Sequence, residues 1–155
     1  MRAFDLESFA AAGLVTKWQQ ESLSFNKAVD TIRGLHFQTP PHIETKIVRV
    51  MQGAIIDVFV DLRKGSSTFG KWDAIELSAD NGVAVYIPAG FAHGFRTLAT
   101  DTLIEYKIDV PYSAENADGL LWNDKTLKID WGVDDPLISD RDDQLPPFGS
   151  FISPF

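Results

Sequence analysis

Residues 46–62 read KIVRVMQGAIIDVFVDL. Two runs rich in Val, Ile and Phe are separated by Gln52-Gly53, and the second stops at Arg63-Lys64-Gly65-Ser66. Helical spacing is absent, so both runs read as strands bounded by turn chemistry. The same character continues outward. Residues 71–77 lead to Asp80-Asn81-Gly82, residues 83–87 to Pro88-Ala89-Gly90, and residues 102–110 to Pro111. Several β-rich runs punctuated in this way indicate an all-β sandwich or barrel. Ahead of them the spacing predicts one short helix, with Asp5 as N-cap, Leu6, Phe9 and Ala10 near one face, and Gly13 as the stop. Beyond Gly132 the chain is acidic and contains prolines, yet it keeps Leu137, Ile138, Leu145, Phe148, Phe151 and Phe155. A disordered tail would be poorer in large apolar groups. This part reads as irregular chain with a helical turn after Ser139, packed on the barrel.

Composition bounds the function. A chain of 155 residues with 45% apolar and 23% charged residues suits one soluble domain, residues 1–155, around a single sizeable core. No stretch approaches the ~18 consecutive apolar residues of a membrane span. The opening residues carry Asp5 and Glu7 and lack a continuous apolar run, so no secretory signal is expected. There is no cysteine, which excludes disulfide scaffolds, thiolate metal sites and cysteine nucleophiles and points to a cytoplasmic protein. A net charge of −8 argues against nucleic-acid binding, which needs a basic face. An anionic small molecule remains compatible if a few cations are placed locally against the global field.

The chain has three histidines, His36, His42 and His93. His36 and His93 sit in glycine-flanked, strand-like contexts, where strand ends of a small barrel line a concave mouth. Each is either a general base or a histidine satisfying a buried hydrogen bond. Lys46, Val48 and Val50 share one strand face. If that face is interior, the Lys46 ammonium needs an anionic partner or reaches solvent at the mouth. Tyr106 alternates with Ile104 and Ile108, which suits an inward hydroxyl, catalytic or merely hydrogen-bonded. His36, His42 and Glu44 in one segment, with Pro88-x-Gly90-x-x-His93, also raise a divalent-metal reading of cupin type. The His-x-His pair expected of such a site is missing, however, and His42 follows Pro40-Pro41 on an expected loop.

Longer motifs are more specific. Arg33-Gly34-Leu35-His36-Phe37-Gln38, residues 57–63, Thr68-Phe69-Gly70-Lys71-Trp72 and residues 77–81 occur in order. Residues 87–95, Trp122-Asn123-Asp124, Ile129-Asp130-Trp131 and residues 137–142 follow them. Together, over residues 20–148, they resemble the nucleotide-sugar 3,5-epimerase family, typified by dTDP-4-dehydrorhamnose 3,5-epimerase. The resemblance implies a cupin-type jelly-roll barrel, a homodimer, and inversion at C3, C5 or both of a nucleotide-linked 4-keto-6-deoxyhexose without metal or cofactor, with thymidine diphosphate as the nucleotide. A C–H beside a ketone must lose its proton on one face and regain one on the other, which needs a base, an opposed acid and a stabiliser of the enolate oxygen. Residue by residue, the resemblance places the base at His36 oriented by Asp142, the acid at Tyr106 and the enolate stabiliser at Lys46. It gives Arg33 a contact to the charged part of the substrate and makes His93 and Asp57 a supporting pair. Arg33 and His36 have opposite parity in a regular strand, so a bulge at Gly34 is expected.

The departures from the family bear on the ligand. Its usual opening pair of strands, carrying an Arg-Gly-aromatic motif exchanged between subunits, has no counterpart ahead of the helix-like segment. Its Gln-x-Asn becomes Gln20-Glu21-Ser22, and the aromatic pair after the tyrosine becomes Pro111-Tyr112. Gln20 and Tyr112 are the nucleotide contacts the resemblance retains. Proton chemistry with thinner nucleotide recognition is the leading expectation. A non-catalytic sugar-binding relative and a metal-dependent cupin are the alternatives.

Overall fold

The computed structural model describes residues 2–155. Its elements are α1 (Leu6–Ala11), β1 (Gln20–Asn26), β2 (Ile32–Gln38), β3 (Lys46–Gln52), β4 (Ala54–Asp61), β5 (Trp72–Ser78), β6 (Ala84–Ile87), β7 (Phe91–Thr97), β8 (Thr102–Ile108), β9 (Ala117–Gly119) and α2 (Asp140–Asp143). The strands form two antiparallel sheets, ordered β1-β8-β3-β6 and β5-β4-β7-β2-β9. This is the all-β jelly-roll arrangement expected, with a short N-terminal helix and an irregular C-terminal segment holding one helical turn. Asp5 caps α1 by accepting the Ser8 N–H, and Ser139 caps α2 through Asp142 N–H.

The stretch that announced the fold turns a corner between the layers. β3 and β4 are consecutive in sequence yet lie in different sheets. Gly53 makes the switch at φ +80, where a side chain would also collide with Thr102. Alternation along each strand then separates two cores. Val48, Val50 and Ile104 from one sheet meet Ile55, Leu77 and Phe95 from the other in the sandwich interior. Ile32, Leu35, Phe37, Val58 and Val60 face the opposite way and are covered by Leu120, Leu127 and Trp131. Each fully buried aliphatic side chain contributes about 1.5–3 kcal/mol, so these two clusters dominate the stabilisation.

The C-terminal segment packs as expected, with Ile138, Phe148, Phe151 and Phe155 against the second cluster. Leu137 differs: its side chain is exposed, and its contribution is a parallel backbone bridge to Thr31. Asp124 anchors the segment, accepting N–H groups from Thr126, Leu127 and Phe148 at 2.8, 2.8 and 2.9 Å. Among the described residues no helix is long and apolar enough to cross a membrane.

Candidate active site

β2 decides the geometry of the site. Arg33 pairs with Phe95 and His36 with His93, and the register shifts between these two pairs. Directly opposed residues share a sheet face, and Phe95 belongs to the interior cluster. Arg33 and His36 therefore both point inward, while Ile32, Leu35 and Phe37 pack on the other side. The irregularity lies at Gly34, whose φ is +110 and whose Cβ would sit 2.7 Å from both Gly94 Cα and His93 O. Glycine is required there by conformation and by space.

The inner face carries two histidine–carboxylate pairs. His36 Nε2 lies 2.7 Å from Asp142 Oδ1, and the other Asp142 oxygen accepts Gly34 N–H at 3.2 Å. Asp142 is 2% exposed. Burial pushes its carboxyl pKa up. The His36 hydrogen bond and charge, the Gly34 N–H and Ser139 outweigh that and leave it below the usual carboxylate value. His93 Nε2 lies 2.7 Å from Asp57 Oδ1, both side chains being buried. Tyr106 comes from the facing sheet, with its ring 6.0 Å from the His93 ring in an edge-to-face arrangement. Burial, then the Asp57 charge, raises the Tyr106 pKa well above the ordinary tyrosine value, so its hydroxyl keeps its proton throughout the neutral range.

Lys46 lies on the same inner face as Val48 and Val50, as its parity requires, and its ammonium is 2.8 Å from Glu44 Oε1. The anionic partner expected for a buried lysine is therefore Glu44. A cavity of about 180 Å³ is walled by His36, Gln38, Glu44, Lys46, Tyr112 and Arg141. Gln20 reaches the same end by accepting Tyr112 N–H at 2.9 Å, while the Tyr112 ring remains exposed. Arg33 shares the inner face, but it is not among the cavity walls, and among the described residues its side chain donates only to the Ile32 carbonyl, at 3.4 Å. His42 also stands outside the cavity walls, and Glu44 is engaged by Lys46 and Gln38. Among the described residues no three His, Asp or Glu side chains converge as a metal set. A larger hollow of about 290 Å³ beside Phe59, Trp72 and Phe91 contains neither histidine pair.

The family model for dTDP-4-dehydrorhamnose 3,5-epimerase matches residues 1–150. The chain belongs to this family. A 3,5-epimerase from Sinorhizobium fredii is 45% identical over 141 residues, covering 90% of this chain and 70% of the relative. The epimerase from Bacillus anthracis, solved with TDP and PPi bound, superposes with a TM-score of 0.93 at 46% identity, over 95% of this chain and 84% of that one. The enzyme from Legionella pneumophila, in complex with dTDP-4-keto-L-rhamnose, gives a TM-score of 0.91 at 31% identity, over 97% and 80%. Within the epimerase fold, three cavity residues escaped the reading of motifs as functional groups. Gln38 was visible only as the end of the histidine motif, Glu44 only as a metal ligand, and Arg141 only as the neighbour of Asp142. For Glu44 the signal was its i+2 spacing before Lys46, which puts both side chains on one face of extended chain.

Proposed function

We propose that this protein is an isomerase that inverts C3 and C5 of a dTDP-linked 4-keto-6-deoxyhexose. The observation that carries the reading is the placement of an oriented histidine and a neutral tyrosine on facing sheets of one interior. His36, held by Asp142, takes the proton from the carbon next to the ketone, and the carboxylate stabilises the imidazolium that forms. The electron pair moves to the ketone oxygen, where the Lys46 ammonium offsets the charge. Tyr106 returns a proton to the same carbon from the other side. Proton exchange with water restores both groups, so the reaction is redox-neutral and releases nothing. His93 and Asp57 brace the tyrosine side of the pocket. Arg33, Gln20 and Tyr112 serve the nucleotide diphosphate, with an exposed ring for stacking on the base. The bound TDP and dTDP-4-keto-L-rhamnose of the two relatives support thymidine diphosphate as the nucleotide.

The test is solvent exchange. Incubated in heavy water with a dTDP-4-keto-6-deoxyhexose, the protein should erase the C3 and C5 proton signals and accumulate inverted product. His36→Ala should slow both by about 10²–10⁴-fold. Tyr106→Phe should retain exchange while blocking inversion. Stabilisation by the dTDP-sugar without any exchange would instead identify a binding relative.

A homodimer belongs to the same proposal. β1 is one of the two edge strands of its sheet, and Leu23 and Phe25 stand 67% and 59% exposed on its outer face. Such an edge is covered in a stable protein.

A further inference from the structure

Glu44 receives two donors at once. Its Oε1 accepts from the Lys46 ammonium at 2.8 Å, and its Oε2 accepts from Gln38 Nε2 at 3.2 Å. The Glu44 and Lys46 side chains are 10% and 11% exposed, so each charge depends on the other for compensation. The Gln38 amide cannot turn over. Its Oε1 accepts Ser113 N–H at 2.6 Å, while its Nε2 also donates to the His42 carbonyl at 3.2 Å. Ser113 follows Tyr112, whose own N–H is held by Gln20. A continuous line of hydrogen bonds thus runs from the Lys46 ammonium to the backbone that carries the Tyr112 ring.

We propose that Glu44 is a positioning residue for the epimerisation, fixing the Lys46 ammonium against the ketone oxygen and tying it through Gln38 to the 112–113 segment at the nucleotide end. This rests on the epimerase reading above. One ammonium hydrogen is committed to Glu44, and the others remain for the substrate. Only a carboxylate suits the position. A glutamine offers one oxygen to two donors and turns an NH₂ group toward either Lys46 or Gln38, leaving one of them unpaired.

A double-mutant cycle with Glu44→Gln and Lys46→Met tests the assignment, with kcat and KM measured on a dTDP-4-keto-6-deoxyhexose. Glu44→Gln should lower kcat about 10- to 100-fold, the range expected for a misplaced catalytic group. KM should change by less than about threefold, because the lost interaction belongs to the transition state. In the Lys46→Met background the same substitution should cost less than about twofold. A full wild-type rate in Glu44→Gln, or an equal loss in both backgrounds, would overturn the proposal, because an effect independent of Lys46 is merely structural. Should Glu44→Gln not fold, Glu44→Asp enters the same cycle with the same expectations, since a side chain one methylene shorter cannot span both donors. An inactive wild type would overturn the epimerase reading and this proposal together. An active wild type that breaks the expected pattern would overturn this proposal alone.

Discussion

Asp142 serves two partners with one buried carboxylate: it orients His36 and it receives the N–H of the bulged Gly34. Its folded-state pKa lies below the unfolded value of about 3.9. The unfolded chain therefore binds the proton more readily, and the stability Asp142 contributes is present above about pH 4 and is lost as pH falls through the folded value. Asp142→Asn should cost about 1–3 kcal/mol at pH 7, the range for a hydrogen bond to a charged group. The gap between wild type and variant should narrow as the solution is acidified below pH 4, as read by urea unfolding across a pH series. A gap that stays constant with pH would show that the carboxylate charge contributes nothing. Catalysis should suffer more than stability, because the asparagine leaves His36 without a fixed tautomer.

At the scale of the element, β2 shows where sequence and structure part. β3, β4, β5 and β8 were legible within one or two residues, because β-branched runs end at glycine, asparagine or proline. β1 was not read as a strand. Its inward positions are Gln20, Ser22 and Ser24, and its large apolar residues Leu23 and Phe25 face out, so the usual alternation is reversed. β9 is three residues, Ala117 to Gly119, too short to carry any period. The histidine motif in β2, which holds the proposed base, was legible as chemistry, but its geometry depends on contacts far along the chain. The bulge needs Gly34 to lie flush against His93 and Gly94, and no local pattern announces that neighbour. Gly34→Ala should destabilise the protein by about 2–3 kcal/mol, through the positive φ and the 2.7 Å approach. It should also reduce kcat in the fraction that remains folded, because the residue two positions on is His36. Unfolding and initial-rate measurements on one preparation separate the two effects; unchanged stability would sink the argument from space.

Across the whole molecule, the proposed site draws on both sheets. The five-stranded sheet contributes His36, His93 and Asp57, and the four-stranded sheet contributes Lys46 and Tyr106. A protein of net charge −8 thereby brings Lys46 and Arg141 to the wall of one cavity, beside Glu44 and Asp118. The exposed outer face of β1 belongs to this scale too. Leu23→Glu with Phe25→Glu should convert a dimer to a monomer in sedimentation analysis, while an unchanged sedimentation coefficient would place the subunit contact elsewhere.

The pairing of His36 with Asp142 spans 106 positions of the chain. Strands β2 to β8, with both sheets and most of the interior, precede Asp142 in the sequence. During synthesis, which proceeds from the N-terminus at about 5–20 residues per second, His36 leaves the ribosome well before its carboxylate has been made. His36 acquires its carboxylate partner only when the segment around Ser139 docks on β2. In the proposed mechanism, the docking of this late segment is therefore the step that completes the base.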